Sequence, residues 1–171
     1  EELSGKYGFE LRVVPPVRVG GRVVSSTLIR QLLMAGKVAE ATNFLGYQPF
    51  VEGVVVPGDR RGSELGFPTA NVEPDGKVLV PARGVYSVRV AVNGDTYLGV
   101  ANVGLRPTFY DHSPRPGIEV HLLDFRDNLY GKSIRVHFVE RLREERRFAS
   151  ARDLVEQIRQ DIRRAREITP G

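Results

Sequence analysis

The sequence of 171 residues contains no cysteine, no tryptophan and a single methionine. The absence of cysteine excludes disulfide bonds, thiolate metal sites and a cysteine nucleophile, and it fits a reducing compartment. Apolar runs such as residues 78–80 are too short for a membrane-spanning helix, and the first residues lack the basic and apolar pattern of a secretory signal. We therefore expect a cytoplasmic protein with no membrane partner.

The net charge is also small, because 25 Lys and Arg against 21 Asp and Glu leave only +4. The basic residues are mixed with acidic ones except at residues 141–147 and 159–166. A charge-rich helix face is usually a solvated surface, so the sequence favours that interpretation over a nucleic-acid interface.

The first part of the chain predicts a helical hairpin and one strand. Residues 26–45 carry an apolar stripe, can be capped by Ser25, Ser26 or Thr27, and are interrupted by Gly36, which predicts two short helices. Residues 9–14 alternate between apolar and polar side chains before a double proline, which predicts a strand with no neighbouring strand in sequence.

The rest of the chain predicts an antiparallel β domain followed by a helix. Asn93 and Gly94 suit a tight turn between two runs of β-branched residues, and the even spacing of such runs suggests a small closed barrel or a sandwich. Residues 150–166 have one apolar and one charged face, typical of a helix that docks on such a domain. The β-branched runs are residues 51–56, 85–92, 97–103, 118–123 and 134–139.

Residues 58–71 combine three glycines and two arginines with a threonine and an asparagine. Glycine lets backbone amides converge on an anion, while the Thr69 hydroxyl and the Asn71 carbonyl are hard oxygen ligands of the kind that Mg²⁺ takes beside phosphates. The order GxxxxGK[ST] is missing, so the stretch is not a P-loop. The alternative is a long connection that uses glycine for turns and Asn71 for a hydrogen bond to the backbone.

Motifs in this stretch and after it resemble those of riboflavin kinases. GFPTAN at residues 66–71 resembles the signature of that family, and the resemblance continues through GVY at 84–86, GVANVGLRPTF at 99–109, EVHLLDF at 119–125 and LYGK at 129–132. It implies a mainly β fold, a six-stranded antiparallel Greek-key barrel with a C-terminal helix. It also implies transfer of the γ-phosphoryl group of ATP to the ribityl 5′-hydroxyl of riboflavin, which gives FMN and ADP.

The resemblance assigns the metal and nucleotide contacts as well. Thr69 and Asn71 would bind Mg²⁺ and the ATP phosphates, and the backbone at Gly58, Gly62 and Gly66 would serve ATP.

Glu119 would be the catalytic base, a role that typically contributes about 10²–10⁴-fold to the rate. From the residues alone, Glu119 is equally an outward-facing strand residue, and Glu64 and Glu140 stay open as bases.

Residues 106–109 resemble the mobile flap of the family, which closes over nucleotide and flavin and excludes water. The alternative is an ordinary loop in which the arginine pairs with Asp111 or Asp124. Phe109, Tyr130 and Phe148 are open as contacts of the flavin ring, and the three histidines lack metal-ligand spacing. The flap residues are Arg106, Pro107, Thr108 and Phe109.

The N-terminal segment resembles the end of the FMN adenylyltransferase module of bifunctional FAD synthetases, in which an S-S-T-x-x-R segment holds ATP phosphates at a helix start. The alternative is a plain helix cap. The G-x-F-D-G-x-H-x-G-H-type signature of that α/β module is absent from this sequence. We therefore expect residues 1–48 to be its C-terminal remnant, residues 49–171 to be the kinase domain, and FAD to be made only by the full-length parent. The matching residues are Ser25, Ser26, Thr27 and Arg30.

A function from another class is a non-catalytic flavin-binding or regulatory module, whose basic C-terminal helix would contact a partner or nucleic acid. The presence of Thr69, Asn71 and Glu119 together argues against a module that has lost catalytic activity.

Overall fold

The computed structural model describes residues 2–58, 61–76, 78–106 and 115–169. The N-terminal elements are α1 (Glu2–Tyr7), β1 (Arg18–Val19), β2 (Arg22–Val23), α2 (Ser26–Met34) and α3 (Val38–Leu45). They are followed by β3 (Phe50–Val56), α4 (Arg61–Glu64), β4 (Ala70–Pro74), β5 (Gly84–Val92), β6 (Asp95–Arg106), β7 (Arg115–Leu122), β8 (Ser133–Arg143) and α5 (Ala151–Ile168).

The six strands from β3 onwards form a closed antiparallel barrel in the order β3-β4-β7-β6-β5-β8. Strands β5, β6 and β7 follow one another as a meander, and β8 returns to lie beside β5, which is a Greek-key arrangement. Strand β3 closes the barrel by pairing with both β4 and β8. The six-stranded barrel implied by the family resemblance is therefore confirmed.

Alternate side chains of the strands fill the barrel interior. Tyr86 and Phe138 are fully buried there, and their rings meet edge to face with centroids 5.3 Å apart. Such a pair typically adds about 0.5–1.5 kcal/mol to the effect of buried area. The Tyr86 hydroxyl donates a hydrogen bond to the Ala82 carbonyl oxygen, so its polar end is satisfied. Most other inward positions hold β-branched residues, among them Val51, Val55, Val72, Val88, Val90, Val103, Ile118, Val120, Ile134 and Val136.

Strand β4 has no β-branched run and was not predicted as a strand. Its only β-branched residue is Val72, and the residues beside it in sequence include Asn71, Glu73 and Pro74. The strand forms because it pairs along one edge with β3 and along the other with β7. Its position depends on tertiary pairing, which outweighs local propensity.

The turn between β5 and β6 has the predicted geometry. Asn93 and Gly94 have φ angles of 53° and 96°, both in the left-handed region that a tight two-residue turn needs. Val92 and Asp95 pair directly on either side. This hairpin is confirmed.

The predicted helical hairpin also forms, as α2 and α3, and it shares the barrel's core. Leu33 and Val38 belong to the same buried cluster as the barrel interior. The Ala82 amide donates to the Leu33 carbonyl oxygen over 2.9 Å, and Gly36 packs so tightly that an added Cβ would lie 2.8 Å from Arg141 Cδ. The module boundary between residues 48 and 49 remains a prediction, since the packed core continues across it.

The strand predicted at residues 9–14 is wrong. These residues lie outside helices and strands, and Phe9, Leu11 and Val13 are 50%, 45% and 73% exposed. An alternating segment becomes a strand only where a partner strand satisfies its backbone and an apolar surface covers one face. The strands that precede α2 are the two-residue pair β1 and β2 instead.

Helix α5 forms as predicted and packs on the outer surface of β5, β6 and β8. The Ser150 side chain caps it by accepting a hydrogen bond from the Asp153 amide over 3.2 Å. Its C-terminal end is held where the Ser87 and Thr169 hydroxyl oxygens lie 3.2 Å apart, buried between the helix and the outer face of β5. Ala165 of the helix joins Val85, Val100 and Leu142 of the strands in a second apolar cluster. None of the helices in the described ranges is long and apolar enough to cross a membrane.

Candidate active site

A row of three polar side chains crosses the outer face of the barrel. Asn71 of β4 pairs with Glu119 of β7, and Glu119 in turn pairs with Asn102 of β6. Their sequence neighbours Val72 and Ile118 face the interior, so the three polar side chains face outward. Asn71 is only 7% exposed. The ladder therefore places one carboxylate between two amides, on a surface partly withdrawn from water.

A turn rich in glycine lies against this row. A Cβ added to Gly58 would come within 1.9 Å of Asn71 Nδ2. A Cβ added to Gly62 would lie 2.4 Å from the Phe67 carbonyl oxygen and 3.3 Å from Thr69 Oγ1. The turn is closed by the Phe67 amide, which donates to the Gly62 carbonyl oxygen over 2.8 Å. Only glycine lets this backbone approach Thr69 and Asn71 so closely.

The donors at Thr69 and Asn71 fit a small hard cation. The Thr69 hydroxyl lies against the backbone of Gly62 and the Asn71 amide against that of Gly58, at places that an added Cβ would fill. In the described part of the chain, no group of three or more His, Asp or Glu residues could hold a metal by itself. A cation here would also need water and ligand phosphate oxygens, which is the usual way in which Mg²⁺ is held beside a nucleotide.

Two cavities meet at Thr69. The larger, of about 460 Å³, runs between the outer row and α5, and Glu119 lies in its wall. The smaller, of about 230 Å³, lies beside the connection between β7 and β8, with Phe125 and Tyr130 in its wall. Thr69 lines both cavities. A ligand bound in either cavity can therefore contact Thr69.

The smaller cavity carries charges of both signs. Lys132 Nζ donates to Asp127 Oδ2 over 2.9 Å, and the Asn128 amide donates to Asp127 Oδ1 over 2.7 Å. These hydrogen bonds lower the pKa of the Asp127 carboxyl, so this group is ionised at neutral pH. Arg126 lines the same cavity. The walls can thus bind a polar ligand that has both donors and acceptors.

A buried ion pair fixes the α5 side of the larger cavity. Asp161 of α5 is 4% exposed, and its carboxylate accepts hydrogen bonds from Arg143 Nε over 3.0 Å and from Gln157 Nε2 over 2.8 Å. The guanidinium carbons of Arg143 and Arg146 lie 5.6 Å and 4.9 Å from the centroid of the Phe148 ring. This wall therefore presents an aromatic ring flanked by cations.

Most of the residues proposed from the sequence are brought together by the fold. Gly58 lies against Asn71, the ladder partner of Glu119, and Gly62 lies against Thr69. Gly66 differs, because its φ of +85° serves the turn and an added Cβ would meet nothing within 4 Å.

Neither alternative to Glu119 lines either of the two cavities described above. Glu64 is exposed on α4, and Glu140 of β8 lies 3.9 Å from Arg164. The geometry thus favours Glu119 among the three carboxylates.

The flap prediction falls largely outside the described residues. The backbone of Arg106 ends β6, where it pairs with Arg115. Pro107, Thr108, Phe109 and Asp111 lie outside the described ranges. Of the remaining aromatic candidates for the flavin, Phe148 lines the larger cavity and Tyr130 the smaller one.

Ser25, which directly precedes α2, has a structural role in this chain. The Ser25 side chain caps α2 by accepting a hydrogen bond from the Leu28 amide over 3.2 Å. Ser26, Thr27 and Arg30 are exposed on the first turns, and none of the four lines either cavity described above. Their phosphate contacts in a longer parent remain a prediction.

Two residues in the larger cavity were not singled out from the sequence. His121 follows Glu119 by two positions, so strand periodicity would have placed both on one face. Asn102 had no local signal, because its place beside Glu119 depends on the register between β6 and β7.

The fold and this site define a class of protein, a small barrel domain with a glycine-rich turn and a carboxylate beside it, an arrangement suited to phosphoryl transfer. Comparison with known families is specific: the family described as riboflavin kinase, or flavokinase, matches residues 45–169. The chain therefore belongs to the riboflavin kinase family. It is an enzyme domain of that family, and a non-catalytic binding module is not favoured.

Individual relatives agree with this assignment. The bifunctional riboflavin kinase/FMN adenylyltransferase of Bacillus subtilis is 42% identical over 166 residues, which are 96% of this chain and 52% of the relative. The chain thus spans about half the length of the curated relatives it matches.

Two solved structures share the fold. Riboflavin kinase from Trypanosoma brucei superposes with a TM-score of 0.50 and 26% identity, over 71% of this chain and 80% of that one. A Streptococcus pneumoniae structure described as a macrolide-efflux protein superposes with a TM-score of 0.89 and 35% identity, over 96% of this chain and 54% of that one. That description concerns the other protein only.

Proposed function

We propose that this chain transfers the γ-phosphoryl group of ATP to the ribityl 5′-hydroxyl of riboflavin at the junction of its two cavities. The observation that carries this proposal is the register that sets Glu119 beside Asn71, with Thr69 between the cavities. A base for the hydroxyl and oxygen donors for the phosphates then lie next to each other. Such positioning, together with charge neutralisation, is most of what phosphoryl transfer needs.

In this proposal riboflavin occupies the larger cavity. The flavin ring is planar and largely apolar, and this cavity offers Phe67, Phe148, Leu154 and Ile158. The ribityl chain would extend toward Glu119, whose carboxylate would accept the proton of the 5′-hydroxyl as the oxygen attacks phosphorus.

ATP then enters from the side of the smaller cavity and places its phosphates at Thr69, Asn71 and the turn at Gly58 and Gly62. Backbone amides at such a turn suit an anion. The flap at residues 106–109 would close over both substrates and keep water from the phosphoryl group.

Mg²⁺ would be held by the Thr69 hydroxyl and the Asn71 amide oxygen, and when bound it supplies positive charge that offsets the phosphate charge. The oxygen donors and the glycine cradle support this assignment.

We further propose that the parent protein also makes FAD, that residues 1–48 belong to its adenylyltransferase half, and that the reaction takes place in the cytoplasm. The coverage of the bifunctional relatives supports the first two points. The use of ATP as donor supports the third.

The direct test is to incubate this chain with riboflavin, ATP and Mg²⁺ and to separate riboflavin, FMN and FAD by chromatography while ADP is measured. FMN and ADP in equal amounts without FAD are expected. No FMN despite saturable riboflavin binding would contradict the proposed activity, and FAD would contradict the assignment of adenylylation to the longer parent.

A further inference from the structure

His121 braces the segment that leads into Thr69. Its Nδ1 lies 2.8 Å from the Pro68 carbonyl oxygen. Its ring also packs edge to face with the Phe67 ring, with centroids 5.6 Å apart and an interplanar angle of 82°. Both contacts are made to the two residues immediately before Thr69.

The hydrogen bond has a defined direction. A carbonyl oxygen only accepts, so Nδ1 of His121 carries the proton and donates it.

The braced segment connects two fixed points. On one side, the Phe67 amide is bonded to the Gly62 carbonyl oxygen in the α4 turn. On the other side, Ala70 begins the ladder with β7 by pairing with Val120. Pro68 lies between them and has no backbone N–H, so its carbonyl is its only backbone hydrogen-bonding group. His121 donates its hydrogen bond to that carbonyl oxygen.

The brace comes from the strand that carries Glu119. The two residues are separated by one position on β7, so their side chains share a face, and both line the larger cavity. A contact from His121 to Pro68 therefore limits how far Thr69 can move relative to Glu119.

We propose that His121 is a positioning residue, which holds the Thr69 hydroxyl in place for the metal ion and the ATP phosphates. This inference rests on the proposed role of Thr69 in binding Mg²⁺ and ATP. It assigns to His121 no contact with the reacting atoms.

Three substitutions separate the hydrogen bond from the ring and from general stability. His121→Phe keeps an aromatic ring against Phe67 and removes the donor. His121→Asn places an amide N–H near the position of Nδ1, and His121→Gln extends the amide to the position of Nε2, where it does not face Pro68. Circular dichroism would confirm that each variant is folded.

In steady-state assays, His121→Phe and His121→Gln should raise the KM for Mg·ATP about five- to tenfold, the size expected for one lost hydrogen bond at a binding segment. The KM for riboflavin should change less than twofold, and His121→Asn should recover most of the loss. Equal losses in the Phe and Asn variants, or a change confined to riboflavin, would overturn the inference.

A second measurement does not depend on turnover. Hydrogen exchange of the backbone amides in residues 62–69 should be faster in His121→Phe than in the wild type and in His121→Asn. Unchanged exchange in that segment would refute the brace whether or not the wild type makes FMN. A wild type that makes no FMN but shows the expected exchange pattern would instead contradict the proposed reaction and leave the brace standing.

Discussion

Glu119 of β7 lies directly opposite Asn71 of β4 in the barrel ladder. This pairing joins a candidate base to a candidate phosphate and metal ligand through two rigid strands rather than through a loop. Because both backbones are held by hydrogen bonds on either side, the separation between the two side chains is set by strand geometry. The two residues are 48 positions apart in the sequence, the difference between 119 and 71.

Removal of the candidate base tests its chemical role. Glu119→Gln keeps the size of the side chain but cannot accept the hydroxyl proton, so kcat should fall about 10²-fold or more. The affinity for riboflavin, measured by quenching of flavin fluorescence, should change little. Glu140→Gln is the control, since Glu140 lines neither cavity, and equal losses in both variants would contradict the assignment.

Substitution of Thr69 tests the oxygen donor. Thr69→Ala removes the hydroxyl, so about tenfold more Mg²⁺ should be needed for half-maximal activity, the usual scale for a lost bond to a charged group. Thr69→Ser keeps the hydroxyl and should stay near the wild type. The measurement is a Mg²⁺ titration at saturating riboflavin, and an unchanged midpoint in Thr69→Ala would remove this residue from the site.

Addition of a methyl group to Gly58 tests the close approach of the turn. The new Cβ would lie 1.9 Å from Asn71 Nδ2, so either the turn or the amide must move. Gly58→Ala should therefore raise the KM for ATP about tenfold, at the usual cost of a displaced hydrogen-bonding group.

Gly5→Ala is the matched control for this variant. A Cβ at Gly5 would meet nothing within 4 Å. A Gly58→Ala enzyme with the ATP dependence of the Gly5→Ala enzyme would show that the turn does not serve the nucleotide.

The buried ion pair between Arg143 and Asp161 should matter much more for stability than an exposed pair. The side chains of Arg143 and Asp161 are 19% and 5% exposed, against 55% and 79% for Arg166 and Asp124. Asp161→Asn leaves a guanidinium unpaired in a region of low solvent access, which should cost about 3 kcal/mol. Asp124→Asn should cost about 1 kcal/mol or less.

Urea denaturation of both variants measures this difference in the free energy of unfolding. Equal midpoints would show that the buried pair adds nothing to the docking of α5.

Several features of the site were accessible from the sequence because they are local. Gly58, Thr69 and Asn71 could be proposed as phosphate and cation ligands from their chemistry, and the motif resemblance added Glu119. The hairpin at Asn93 and Gly94 followed from turn chemistry alone. The strand proposed at residues 9–14 shows the limit, since alternation predicts a strand only where a partner and an apolar surface exist.

The sequence by itself determined the local conformations: the turns that need glycine, the helix caps at Ser25 and Ser150, the alternation that fills the barrel, and the motifs of the family. Only the tertiary structure decided that Asn102 and Glu119 are neighbours, that β4 is a strand, and that His121 reaches Pro68. The physical reason is that propensities and caps act over a few residues, whereas cross-strand register depends on how the whole barrel closes.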